Sequence, residues 1–255
     1  MGHVQLVGIL NCTPDSFSDG GLYLNPKKAL AHAEQLFANG ANIVDVGAES
    51  TNPKSASITP DEEWARLRPI LEGLLPAFSD NISIDTHHPT TLERIVDLFG
   101  DCFIANDVTG MNDPQMRNTV ARYKLRCIIS HLPARFGTDI QAAHADATMD
   151  DEQEVLQELL SRREQLLALG LSREHIILDP GIGFGKTMAL NHTLLTFARL
   201  IPDSKVMIGY SRKRFLGEHR FETEPNIAAG KLAISAGAAY LRVHDVAAHA
   251  RLLPK

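Results

Sequence analysis

Short apolar runs, rich in β-branched residues, alternate along the chain with longer stretches in which apolar and polar positions interleave. The runs lie at Val4–Asn11, Asn42–Gly47, Ile82–Thr86, Phe103–Val108, Arg126–His131, His175–Asp179, Val206–Ser211 and Tyr240–His244. Most are apolar almost throughout, the pattern of strands covered on both faces. Between them, apolar residues recur three and four positions apart, which predicts helices packed along one stripe. Glu154–Leu169 shows this most plainly, with Val155, Leu156, Leu159, Leu160, Leu166 and Leu167 on one side. Helix starts are marked by Asn25-Pro26, a capping side chain before a proline suited to the first helical position. Thr59-Pro60-Asp61-Glu62 reads as a capping box. Gly40, Gly100 and Gly170 are placed to end helices shortly before the next strand. Eight strand–helix units within 255 residues predict an α/β fold, a closed (β/α)₈ TIM barrel forming a single domain over residues 1–255. An open doubly wound sheet is the alternative arrangement of the same elements. The last unit is short, since Ala247–Lys255 leaves room for about two helical turns.

Composition narrows the function classes. Lys+Arg number 25 against 31 Asp+Glu, a net charge of −6 and a pI near 6.0, and this acidic balance argues against nucleic acid as the main partner. No apolar run is long enough to span a membrane. The opening residues MGHVQLVGILN lack the charged head and cleavage site of a secretory leader. Cys12, Cys102 and Cys127 are odd in number and widely spaced, which suits a reducing, cytoplasmic setting and neither a disulfide scaffold nor a zinc cluster.

The strand ends are where the chain becomes chemical. Barrel enzymes keep their active sites at the C-terminal ends of the strands. Here those ends read Asn11, then GAESTNP, Asp85-Thr86, Asn106-Asp107, His131, Asp179-Pro180-Gly181, Ser211-Arg212-Lys213, and Arg242 with His244. Turn chemistry accounts for one or two such residues but not for all eight positions. They sort into two groups. Asp85, Asn106, Asp179 and Lys213 suit a flat heterocycle that presents several ring donors and acceptors, because paired polar groups in a dry pocket select the ring that pairs them. Arg242 and His244, with Arg212 nearby, read as an anion site of the phosphate type. Asn11 adds a neutral oxygen able to bind Mg²⁺, which shares oxygen ligands with phosphates.

Other features are weaker. Gly181-Ile-Gly-Phe-Gly-Lys-Thr is neither a Walker A loop, whose first glycine would fall at Pro180, nor GxGxxG, whose third glycine would fall at Lys186. Its glycines are read as allowing a tight turn beside the ring pocket, with Phe184 as a candidate stacking residue. His87-His88 is read as a solvated loop pair and His131 as a hydrogen-bonded structural histidine. The loop carrying Asp15, Phe17, Asp19, Gly20 and Gly21 has the composition of a lid.

Seven motifs in order, GILNCTPDSFSDGG, GANIVDVGAEST, ISIDT, NDVTG, ILDPGIGFGK, SRKRFLG and LRVHDV, resemble the dihydropteroate synthase family from about residue 6 to about residue 247. The resemblance implies a (β/α)₈ barrel transferase. It would join 6-hydroxymethyl-7,8-dihydropterin diphosphate to p-aminobenzoate with loss of pyrophosphate, in an SN1-like step assisted by Mg²⁺. It implies pterin contacts at Asp85, Asn106, Asp179, Phe184 and Lys213, and diphosphate contacts at Asn11, Thr51, Arg242 and His244. Asn11 would be the Mg²⁺ ligand. Phe17, Thr51 and Pro53 would close over p-aminobenzoate, and Arg214 is assigned to its carboxylate. Asp19 would be a loop carboxylate near the reacting methylene, acting with Lys213, Arg242 and His244. A cytoplasmic homodimer is implied as well.

The chain departs from the family pattern at three places. Asn52 replaces an arginine in GGESTRP, Arg214 replaces the serine of SRKS, and Ser130-His131-Leu132-Pro133-Ala134 replaces MHMQG. Two other readings share the ring pocket. One is a slow or non-catalytic pterin-binding paralogue, and the other is a pterin-dependent corrinoid methyltransferase.

Overall fold

The computed structural model describes residues 4–13, 25–49 and 57–254. Eight parallel strands follow one another around a closed barrel: β1 (Gln5–Asn11), β2 (Ile43–Gly47), β3 (Ile82–Asp85), β4 (Ile104–Asp107), β5 (Arg126–Ser130), β6 (Ile176–Asp179), β7 (Lys205–Gly209) and β8 (Tyr240–Val243). β8 pairs with β1, Tyr240 opposite Gln5, which closes the ring and excludes the open sheet. Helices α1 (Pro26–Ala38), α2 (Pro60–Phe78), α3 (Pro89–Phe99), α4 (Pro114–Arg122), α5 (Ile140–Ala145), α6 (Glu152–Ala168), α7 (Met188–Thr193), α8 (Thr223–Ser235) and α9 (Val246–Ala250) lie between and after the strands.

Local signals place the helices. Asn25 accepts from the Lys27 amide, and Thr59 and Glu62 complete the reciprocal capping box of α2. The apolar stripe on α6 buries Val155, Leu159 and Leu166, but the helix starts two residues earlier than the stripe suggests because Asp151 caps it. α9 spans only Val246–Ala250, so the last unit is shorter than two turns.

Alternation along each strand divides the apolar residues into two sets. Leu6, Leu10, Val44, Val46, Ile82 and Ile84 face outward into the large core between sheet and helices. Val7, Ile43, Ile104, Ile128, Ile177 and Met207 face inward and form a separate plug, with Tyr240 packed against it. That plug is the floor on which the site is built.

Candidate active site

Two residues beyond the plug, on the same strands, the inward positions turn polar. Asp45 follows Ile43, Asn106 follows Ile104, Asp179 follows Ile177 and Arg242 follows Tyr240. The period of two that makes the floor therefore also makes the layer above it. Gly47 and Gly209 take two further inward positions. A methyl group there would come within 3.3 Å of Asp85 Cβ and Asp179 Oδ2 respectively, so glycine leaves those carboxylates room.

Arg242 joins one half of this layer. Its Nε donates to Asp45 Oδ2 at 2.7 Å and its Nη2 to Asp85 Oδ2 at 2.9 Å. Asn106 Nδ2 donates to both oxygens of Asp45, at 3.2 and 3.1 Å. Asn106 Oδ1 is buried and has no hydrogen-bond partner among the described residues. Burial pushes the Asp85 carboxyl up from its usual range; the negative charge of Asp45 adds to the rise and Arg242 opposes it. For Arg242, burial works against the charged form, and the facing carboxylates outweigh it and hold its pKa above the ordinary value.

Asp179, Lys213 and Phe184 make the other half. Asp179 Oδ1 accepts from the Gly181 amide at 2.7 Å. Burial raises its pKa, and the Lys213 charge pulls it back. Lys213 donates to the Ile182 carbonyl and lies 5.0 Å above the centre of the Phe184 ring. Burial lowers its pKa to about 8. Phe184 is 7% exposed and sits among Val108, Leu132, Ile140 and Ala143, so it is a core residue whose one open face Lys213 covers. Gly181, Gly183 and Gly185 all have left-handed φ, 62°, 92° and 64°, and a methyl group on Gly181 would meet the His131 carbonyl oxygen at 2.1 Å. The turn is locked by Lys186, 2% exposed, whose ammonium donates to the carbonyls of His131, Gly181 and Phe184 at 2.9–3.0 Å.

The ends of β7 and β8 bring cations together. Arg212 adopts a left-handed φ of 61°, and its amide is held by Asn226 Oδ1 at 2.9 Å. His244 Nδ1 lies 3.0 Å from Ser211 Oγ. Burial, then the positive charges of Arg212, Arg242 and Lys213, depress the His244 pKa to about 3. Arg214 starts a three-residue 3₁₀ turn, Arg214–Leu216, and is exposed; the helix after β7 begins only at Thr223. Arg214 therefore does not stand at the N-terminus of that helix. Asn11 stands at the end of β1 beside Gly47, and its side chain has no hydrogen-bond partner among the described residues.

A cavity of about 320 Å³ opens over the Asp85 side, lined by Glu49, Glu63, Asp85, His87 and Val108 among others. His87 and His88 are not a solvated pair: each is 18% exposed, and His88 Nε2 lies 3.0 Å from Glu49 Oε2. His131, just after β5, is fully buried with Nε2 3.2 Å from Glu158 of α6; among the described residues neither ring nitrogen makes a hydrogen bond, so it is a buried wall residue but not the hydrogen-bonded one expected.

Asp15, Phe17, Asp19, Gly20, Gly21, Thr51, Asn52 and Pro53 lie outside the described residues. Residue-by-residue reading of the sequence passed over three groups that matter here: Asp45, Glu63 and Lys186. Asp45 interrupts the apolar run of β2, and its place in the site appears only through its contacts with Asn106 and Arg242. Glu63 is fully buried on α2 and accepts from Thr86 Oγ1 at 2.7 Å, and no strand pattern signals it.

Comparison with known proteins places the chain in a family. The family model described as pterin binding enzyme matches residues 7–244. A dihydropteroate synthase of Neisseria meningitidis serogroup C is 37% identical, covering 98% of this chain and 90% of that protein. The structure of Xanthomonas albilineans dihydropteroate synthase with 4-aminobenzoic acid has a TM-score of 0.83 at 33% identity, covering 98% and 90% of the two chains. The Anaplasma phagocytophilum dihydropteroate synthase with bound 6-hydroxymethylpterin-monophosphate has a TM-score of 0.83 at 31% identity, covering 98% and 96%.

Proposed function

The chain belongs to the pterin binding enzyme family, and from that premise we propose that it condenses 6-hydroxymethyl-7,8-dihydropterin diphosphate with p-aminobenzoate to 7,8-dihydropteroate and pyrophosphate. The observation that carries this reading is the polar layer on the apolar plug, with the buried acceptor Asn106 Oδ1 still unpaired. A flat ring with N–H donors would pair Asn106 Oδ1 and Asp179, and Lys213 would donate to a ring carbonyl. The cations Arg212, Lys213 and Arg242, with His244, would receive the diphosphate at the ends of β7 and β8.

The mechanism is SN1-like. Pyrophosphate departs toward these cations, and the pterin methylene becomes cationic. The arylamine nitrogen then forms the new C–N bond and loses a proton. No side chain acts as nucleophile, so the protein works by positioning and by stabilising separating charge. Asp19, Phe17, Thr51 and Pro53 are proposed to close this arrangement over the arylamine.

Mg²⁺ fits Asn11 in a limited sense. Asp45 and Asp85 are engaged by Arg242, so the donor available at the rim is one neutral amide oxygen. Such a site suits an ion that arrives with the diphosphate, whose negative charge it would neutralise.

Purified protein, supplied with both substrates and Mg²⁺, should release pyrophosphate and form pteroate. Absence of pteroate, with pterin binding intact, would support the non-catalytic paralogue, and undiminished activity in excess chelator would remove the metal. We propose the cytoplasm as the compartment, supported by three free thiols. A homodimer is proposed through the surface at α8, where Leu232 on the helix and Phe221 in the turn before it stand 50% and 58% exposed. A monomer mass in sedimentation would overturn it.

A further inference from the structure

The mouth of the barrel holds a cluster that the condensation leaves unused. Glu49 follows β2, and His87 and His88 follow β3. Glu49 Oε2 lies 3.0 Å from His88 Nε2 and 3.7 Å from His87 Nε2. One ligand atom from each of the three residues lies within 4.8 Å of the other two. An ordinary His–Glu hydrogen bond needs one imidazole. Here a second imidazole converges on the same oxygen from beyond hydrogen-bond distance, with ring centres 4.3 Å apart. Four-coordinate zinc, with bonds of about 2.0–2.2 Å, separates neighbouring ligand atoms by about 3.3 Å. The two distances to Glu49 Oε2 bracket that spacing.

The surroundings hold the ligands in place. The Ile58 amide lies 3.3 Å from Glu49 Oε1, which leaves Oε2 for the histidines. Thr86 Oγ1 accepts from the His88 amide at 3.2 Å and itself donates to buried Glu63. These contacts fix the Glu49 carboxylate and the backbone at His88. Glu49 and His87 also line the cavity beside Asp85, so a bound ion would keep an open position toward it.

We propose that Glu49, His87 and His88 form a binding site for a divalent transition metal ion of the zinc class. The site is separate from Asn11 and from any Mg²⁺ carried by a diphosphate. Two imidazoles and one carboxylate favour zinc, cobalt or nickel over magnesium. The ion would fasten the loop after β2 to the loop between β3 and α3.

The test uses the full chain, stripped with chelator and titrated with Co²⁺, with Zn²⁺ measured by competition. One equivalent should bind with the visible absorption of a tetrahedral cobalt site, and millimolar Mg²⁺ should not displace it. His87→Gln should weaken binding by at least the roughly tenfold that loss of an outer contact alone costs, with unchanged circular dichroism. If His87→Gln fails to fold, His88→Gln serves in its place. No stoichiometric binding, a spectrum of octahedral cobalt, or equal affinity in the His87 variant would each overturn the site. None of these readouts depends on the condensation.

Discussion

Two layers inside the barrel come from the same strands, two residues apart, and they obey different physics. The lower layer is Val7, Ile43, Ile104, Ile128, Ile177 and Met207, all buried and apolar. The upper layer is Asp45, Asn106, Asp179 and Arg242, joined by Asp85 at the end of β3, above polar Ser83, and by Lys213 from the loop after β7. In the lower layer each side chain gains by leaving water and by close contact with its neighbours. In the upper layer each charge loses hydration, and recovers that loss only through the partner facing it. The strands thus keep their pattern of apolar runs but carry two kinds of dependence. Removing a lower residue should damage folding and spare chemistry. Removing an upper residue should damage the balance of charge, and with it ligand recognition.

The sharpest way to break this comparison is Arg242→Met. It leaves Asp45, fully buried, and Asp85 facing each other with no cation between them. Breaking a buried ion pair from one side costs about 3–5 kcal/mol. Activity should be lost as well. The loss should depend on pH in a defined direction. The native Asp85 carboxyl already has a raised pKa, and removing Arg242 removes an influence that lowers it. A raised carboxyl binds its proton more tightly in the folded state than in the unfolded one. Its stabilising contribution is present near and below the unfolded value of about 4 and fades as pH rises toward the folded value. Denaturant melts at pH 5 and pH 8 should therefore show a smaller deficit at pH 5. An equal deficit at both would mean that Arg242 is not what holds the two carboxylates together.

Ile177→Ala tests the lower layer on the same strand as Asp179. It should cost about 2–5 kcal/mol of stability by opening a cavity. Turnover per folded molecule should stay within about twofold, because no ligand atom is expected to reach the floor. A drop in turnover larger than the drop in stability would show that the two layers are mechanically coupled.

Asp179→Asn tests the layer above. The amide keeps an oxygen for the Gly181 amide and removes only the charge. Losing a charged hydrogen-bond partner costs roughly 1.5–3 kcal/mol, about ten- to a hundredfold in affinity for a pterin ligand measured by calorimetry. Thermal stability should change far less than in Ile177→Ala, since burial already opposes this charge. Wild-type affinity would remove Asp179 from the ring pocket.

How far these layers were legible in the sequence depends on position. The strands were plain because runs such as Ile82–Thr86 and His175–Asp179 are apolar until their last residues. Asp85, Asn106 and Asp179 were found because each stands at or next to such an end. Asp45 was not, because it lies inside the run IVDVG, where it looks like an interruption of a buried strand and not like a site. Only the closed barrel, which brings it within hydrogen-bond reach of Asn106 and Arg242, reveals it. Lys186 was set aside with a phosphate loop that does not exist, and its task is to satisfy three carbonyls. The histidine pair was misread because the sequence cannot place Glu49, 38 positions before His87, next to it.

The smallest effect is expected at Arg214, which follows Lys213 but is exposed. This residue departs from the family pattern, and its guanidinium is a candidate grip on the arylamine's carboxylate, which must point outward if the amine faces the pterin methylene. The geometry weakens that grip without removing it. Arg214 is exposed on a short 3₁₀ turn and makes no ion pair with the described residues, so water competes for the guanidinium and no helix dipole assists it. Exposed charge pairs contribute about 0.2–1 kcal/mol, which caps the effect near fivefold. Arg214→Ser should therefore raise the KM for p-aminobenzoate by no more than about that factor, leave the pterin substrate's KM unchanged, and lose its effect as salt rises. An arylamine lacking the carboxylate should not distinguish the two proteins. A much larger effect would mean that the loop after β7 closes around the arylamine and buries Arg214, and equal effects with both amines would confine Arg214 to the solvated surface.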